Sequence, residues 1–304
     1  MKTILKAVIL VLVISCNSSK ANIQSTGKQS IDNKEAKQDD KKTKVFFLAG
    51  QSNMDGRARA YNLTTEDKGR IKKAQQNVTL FYNHRDPVPF QATKVADHIA
   101  RKFEADTLFG PELFFGIKMS ETYPNHKIIL IKRARGGMSL YGAWNPEWSE
   151  DKAKLMNELN APKLYSDFIS YAKSILSELE PNSYEICGML WVQGETDSGK
   201  RFGPLPAESY EANLNKLIAG IRTEFALPNL PFLMFQVGNG KVVEGMKNIA
   251  EADEYVSLIP QSNNKKSKDY YPKNPPPIGH YVYESMKRIG ILFFERYINN
   301  YAYK

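Results

Sequence analysis

From Lys44 onward, short and almost wholly apolar runs alternate with longer stretches of helical period, and few architectures accept that pattern. The runs KVFFLAG (44–50), NVTLFY (77–82), HKIILIKRA (126–134), YEICGMLWVQ (184–193), PFLMFQVG (231–238) and EYVSLIP (254–260) read as strands. Several are apolar at nearly every position, as strands covered on both faces must be. Between them, Leu164, Phe168, Ala172, Ile175 and Leu179 share one stripe and predict a helix over 162–180. Tyr210, Leu214, Leu217, Ile218, Ile221 and Phe225 predict a second, and VYESMKRIGILFFERYI a third. GPELFFGIKMSETYP, opened by Pro111 and closed by Pro124, predicts a fourth. The expectation is one α/β domain over 44–304 with a mainly parallel sheet. At 304 residues and 42% hydrophobic content the chain supports a substantial core.

The N-terminus reads differently. Lys2 and Lys6 precede an apolar run from Ala7 to Ile14 that is too short to span a bilayer, and Ser15 and Cys16 follow. This is a secretion signal (1–16) whose end, Val13-Ile14-Ser15-Cys16, resembles a bacterial lipobox. Cys16 is then the lipidated first residue of a membrane-anchored lipoprotein, periplasmic or at the cell surface. Residues 17–43 hold Ile23 and Ile31 as their only large apolar side chains, so they read as a flexible tether. Cys187, the one other cysteine, lies in an apolar run and reads as a small buried hydrophobe. The net charge of +9 is spread widely, without a nucleic-acid motif, which favours a solvated surface over a nucleic-acid partner.

Open α/β sheets bind ligands beyond the carboxyl ends of their strands. Three strands lead into chemistry-bearing turns: Gly50-Gln51-Ser52-Asn53, Arg135-Gly136-Gly137 and Gln193-Gly194-Glu195-Thr196-Asp197. Ser52 offers a hydroxyl on a tight turn. Gly136 and Gly137 expose backbone N–H groups suited to an oxyanion hole. Gln193 adds a side-chain N–H, and Glu195 a carboxylate that orients a base. Of the four histidines, His84 reads as a surface turn, His98 as a helix or loop face, and His126 lies at the amino end of a strand. His280 follows the stiff NPPPIG run and opens the last helix, which makes it the candidate general base. The stretch 138–162 lacks a clear period and reads as a long loop beside the site, with Trp144, Trp148 and Tyr141 as a sugar-stacking wall.

FLAGQSNMDGRA, FGPELFFG, IILIKRARGGMSL, MLWVQGETD and HYVYESMKRIG, in that order, resemble the motifs of the sialate O-acetylesterase-like family. That family includes the carbohydrate esterase family 6 acetylxylan esterases and belongs to the SGNH-hydrolase superfamily. The resemblance runs from about Lys44 to the C-terminus. It implies a three-layer α/β/α, flavodoxin-like fold, removal of acetyl groups from glycans, and no metal or organic cofactor. It makes Ser52 the nucleophile, His280 the base, and the N–H groups of Ser52 and Gly137 with the Gln193 side chain the oxyanion hole. Asn53, Gly136, Trp144 and Trp148 are expected to contact substrate. Many members carry an aspartate three residues before the histidine, where this chain has Pro277. Glu195, or Asp269 from the basic loop, is expected to replace it, and Glu195 is favoured because its motif is fixed at a strand end. The alternative is a non-catalytic glycan-binding lipoprotein that retains the fold.

Overall fold

The computed structural model describes residues 42–302; the signal, Cys16 and the tether as far as residue 41 lie outside the described residues. The strands are β1 (Thr43–Gly50), β2 (Ala58–Arg59), β3 (Val78–Tyr82), β4 (Val88–Pro89), β5 (Thr93–Lys94), β6 (Thr107–Phe109), β7 (Ile128–Ala134), β8 (Tyr184–Val192), β9 (Phe232–Phe235) and β10 (Val256–Ile259). Seven form one sheet in the order β10-β9-β8-β1-β7-β3-β4, parallel except where β4 runs against β3. Every apolar run read as a strand is one of its members. A small antiparallel sheet, β2-β6-β5, stands apart and was not expected.

Alternation along β1 shows the three layers. Phe46 packs edge-on against Phe115 and Tyr297, each at 4.9 Å between ring centroids, on one face. Phe47 meets Phe168 at 5.3 Å and Phe225 at 4.7 Å on the other. Successive side chains of a strand point to opposite faces, so the helices Glu112–Thr122 and Tyr283–Asn300 cover one side of the sheet and Leu164–Ser177 the other. All seven residues of β7 are buried, which accounts for the apolar stretch 128–131 and also encloses Lys132 and Arg133.

The four predicted helices form, close to their predicted bounds; the second is the helix Tyr210–Glu224. Helices Thr65–Ala74 and Gly240–Ala252 were not anticipated, and Asp97–Phe103 settles His98 on a helix rather than a loop. The first of them buries only Asp67, Ile71 and Ala74, too thin a stripe to read from sequence. The last helix starts at Tyr283, so His280 lies in the loop ahead of it rather than on its first turn. The 138–162 stretch is mostly turns, with one short helix, Glu150–Leu155, whose cap Ser149 accepts from the Lys152 N–H.

The site follows from the strand order. The chain places β3 and β7 on one side of β1 and β8, β9 and β10 on the other, so the order reverses at β1. In register, Gly50 faces Ala134 of β7 and Val192 of β8. The three strands end level, and their turns meet.

Candidate active site

Ser52 follows β1 directly. Gly50 has φ +150°, and a Cβ there would sit 2.1 Å from the Val192 carbonyl oxygen, so only glycine brings β1 this close to β8. The chain then closes one helical turn, Ser52–Asp55, with the Met54 and Asp55 N–H groups donating to the Gln51 carbonyl. Beneath that turn lies a buried charge network. Asp55 pairs with Arg57 and accepts from the Tyr82 hydroxyl. Lys132 donates to the Asp55 carbonyl at 3.0 Å and pairs with Glu112 at 2.8 Å, both side chains being out of solvent.

The turn after β7 lies against the serine. A Cβ on Gly136 would stand 3.2 Å from Arg57 Nη2 and 3.4 Å from Ser52 Cβ, so this glycine is a close-approach position. Gly137 adopts φ +76° and has open space on its side-chain face. Among the described residues, the N–H groups of Ser52, Gly136 and Gly137 donate to no protein acceptor, which leaves them for a ligand. Two buried carboxylates hold the loop that follows. Glu158 accepts from Ser139 N (2.8 Å), Ser139 Oγ (3.0 Å) and Ala143 N (2.6 Å). Asp197 accepts from Leu140 N (2.9 Å), Tyr141 N (2.8 Å) and the Gln193 side chain. Burial pushes the Glu158 carboxyl up to about 7 and that of Asp197 up to about 6, against the pull of those donors.

His280 reaches the serine across 228 residues of sequence: Nε2 stands 2.9 Å from Ser52 Oγ. Its other nitrogen, Nδ1, donates to the main-chain carbonyl of Ile278. The imidazole edge also meets the Phe103 ring at 5.1 Å. Burial lowers its pKa from the ordinary 6.5, and Arg57, Lys102 and Lys273 lower it further, while the Ile278 bond opposes them. The result is a neutral imidazole at neutral pH, with its base nitrogen on the nucleophile.

Several expectations need correction. Glu195 does not orient His280: its carboxylate accepts from Asn53 Nδ2 at 2.5 Å and lies 4.0 Å from Lys273 Nζ, and among the described residues it makes no bond to the histidine. Asp269 does not either; its N–H and carbonyl serve the loop turn. Gln193 is not an open oxyanion donor, because Nε2 already donates to Asp197 and to the Met138 carbonyl (3.2 Å). Asn53 is 3% exposed and faces Glu195 rather than a ligand. Trp144 is wholly buried and packs edge-on against Trp191 at 5.3 Å, so it belongs to the core. Trp148 is partly buried and its ring is capped by Lys163 Nζ at 3.9 Å. Cys187 is buried as read, and burial pushes its thiol up to about 12.

Sequence reading missed Arg57, Glu158 and the anchoring role of Asp197. Arg57 and Asp197 stood inside motifs already quoted; Glu158 had no signal, being one acid in an aperiodic loop. The other histidines stay apart: His84 pairs with Asp167 at 3.1 Å on the surface. Among the described residues, no group of three or more His, Cys, Asp or Glu is arranged to hold a metal ion.

A base nitrogen on a serine hydroxyl, next to unspent N–H groups, is the equipment of acyl transfer. A family model described as carbohydrate esterase, sialic acid-specific acetylesterase, matches residues 42–299 and so takes in the whole site. This chain belongs to that family. It is a carboxylic-ester hydrolase. Among solved structures it is similar to a protein from Arabidopsis thaliana, at 19% identity and TM-score 0.61, covering 86% of this chain and 100% of that one. NanS matches at 16% identity and TM-score 0.58, over 85% of this chain and 97% of its own. A carbohydrate acetylesterase from Xanthomonas citri matches at 18% identity and TM-score 0.55; this chain spans 86% of its own length there but only 56% of that protein's. At these identities the likeness carries the fold alone, the mixed α/β architecture with a mostly parallel sheet. A search of curated proteins by sequence finds no match.

Proposed function

We propose that the protein is a serine O-acetylesterase that removes acetyl groups from acetylated glycans, of acetylxylan or sialic-acid type, while anchored to a bacterial membrane by a lipid on Cys16. One observation carries the catalytic part: His280 Nε2 is 2.9 Å from Ser52 Oγ, beside the unspent N–H groups of Ser52 and Gly137. In the first step His280 takes the Ser52 proton as Oγ attacks the acetyl carbonyl carbon. The oxygen that gains charge is received by the Ser52 and Gly137 N–H groups, with Gly136 alongside. His280 then returns the proton to the departing sugar oxygen, leaving an acetyl ester on Ser52. Water, activated by the same imidazole, attacks that ester and releases acetate. Ile278 does the work a carboxylate does in other serine hydrolases, because accepting Nδ1–H fixes the tautomer that leaves Nε2 free. A carbonyl adds no charge to stabilise the imidazolium, so the pair works as a dyad with a main-chain orienter.

Purified protein assayed on p-nitrophenyl acetate and on acetylated xylan and acetylated sialic acid, beside Ser52→Ala, tests the chemistry and ranks the sugars. Equal turnover by wild type and Ser52→Ala contradicts it. The anchor rests on the Val13–Cys16 sequence and is tested separately: Cys16→Ser abolishes palmitate incorporation and moves the protein to the soluble fraction. An unchanged membrane fraction rules the anchor out.

A further inference from the structure

Glu195, displaced from the role expected of it, sits in an arrangement that ionised carboxylates do not favour. Asn53 and Glu195 are joined by one bond, Nδ2 to Oε1 at 2.5 Å. The two oxygens left over, Asn53 Oδ1 and Glu195 Oε2, are both buried and meet no hydrogen-bond donor. Buried polar atoms are nearly always paired, and two orphans on side chains already bonded to one another require a common explanation. Both atoms are acceptors while Glu195 is ionised. A proton on Oε2 converts that oxygen into a donor, and a carboxylic acid then matches a primary amide donor for acceptor at both positions.

The groups around the pair allow this. Lys273 is the cation facing Glu195, at 4.0 Å from Oε1, and it is shared with the Tyr281 ring at 4.5 Å. Tyr281 gives its hydroxyl proton to Gln261, and Tyr210 donates to the Gln193 carbonyl at 2.8 Å, so neither hydroxyl serves Glu195. Asp197 is turned to the 139–141 loop. The helix Gly240–Ala252 meets the adjoining Gly194 with apolar Val242 and Met246. Burial raises the Glu195 carboxyl above its ordinary value, outweighing Lys273 and the Asn53 bond.

We propose that Glu195 is a positioning residue that carries its proton at neutral pH and clamps the Asn53 amide through two bonds, Nδ2 donating to Oε1 and Oε2–H donating to Oδ1. Asn53 follows Ser52 in the chain, so the clamp fixes the turn that presents Oγ to His280.

The kinetic arm rests on the Ser52 esterase reading; the spectroscopic arm does not. Infrared difference spectra of the full chain, wild type minus Glu195→Gln at neutral pH, are expected to show the carbonyl stretch of a protonated carboxyl. Glu195→Ala is expected to lower kcat by about 100-fold with KM unchanged, the cost of a misplaced nucleophile. Glu195→Gln is expected to restore most of that loss, since its amide again offers one donor and one acceptor. Wild-type activity is expected to fall at alkaline pH as Glu195 ionises, and the Gln variant not to share that fall. The absence of the band, or a Gln variant as slow as the Ala variant, overturns the proposal. If wild type is as inactive as Ser52→Ala, the esterase reading fails, and the infrared band alone decides the clamp.

Discussion

Ser52 stands on a turn whose surroundings are buried and charged, whereas His280 stands on a proline-rich loop held by main-chain bonds. Under the serine, Asp55, Arg57, Lys132 and Glu112 are paired with one another out of solvent. Around the histidine, Asn274 donates to the His280 carbonyl from its N–H (2.7 Å) and from its side chain (3.1 Å), and the Ile278 N–H donates to the Pro275 carbonyl (3.1 Å). Tyr281, wholly buried against Phe235 at 5.6 Å, ties this loop to the core. The serine half therefore fails through uncompensated charge, which costs stability. The histidine half fails through lost orientation, which costs rate.

The largest effect separates the base from its supports. His280→Ala is expected to lower kcat by about 10⁴–10⁶ with the circular dichroism spectrum unchanged, since nucleophile and base act as one unit. Next, Glu112→Ala leaves Lys132 buried without its counter-ion and is expected to cost about 3–5 kcal/mol in denaturant unfolding. Asn274→Ala, the matching lesion on the histidine loop, removes only one side-chain hydrogen bond and is expected to cost about 1 kcal/mol while lowering kcat. Comparable stability losses in the two variants would erase the contrast between the halves. Gly136→Ala places a methyl 3.2 Å from Arg57 Nη2 and 3.4 Å from Ser52 Cβ, and is expected to lower kcat by about tenfold with little change in Tm.

The smallest effect concerns pH. The base must be neutral to act, so kcat/KM rises with pH through the His280 pKa, and burial followed by three cations sets that pKa below 6.5. Lys102→Gln removes one of those cations, raises the pKa and moves the acid limb to higher pH. A limb that stays in place, or moves to lower pH, shows that Lys102 does not act on the imidazole.

What the sequence revealed, and what it hid, divides along similar lines. The meeting of Ser52 with His280 and with the Gly136 turn was legible because strand ends and a rigid loop bring them together whatever the side-chain packing does. The partner of Nδ1 was not. With Pro277 where relatives place an acid, the sequence directs attention to other acids, Glu195 and Asp269. The group that serves is the carbonyl of Ile278, and a main-chain carbonyl is present at every residue and leaves no sequence signal. Trp144 was misread for a related reason: an aromatic in an aperiodic loop looks the same whether it lines a cleft or, as here, fills the core beside Trp191. Glu158 and Asp197 were invisible as anchors because which donors a carboxylate meets depends on how the loop folds back over it.

The central claim is that a main-chain carbonyl, with no carboxylate, orients the catalytic imidazole. Nitrogen-15 NMR of the His280 ring reads this directly, in wild type and in Glu195→Gln across the pH range. The account predicts a neutral ring protonated at Nδ1 near pH 7, titrating below 6.5, with the same tautomer in both proteins. An imidazolium near pH 7, a ring protonated at Nε2, or a tautomer that changes when Glu195 loses its carboxyl would contradict it.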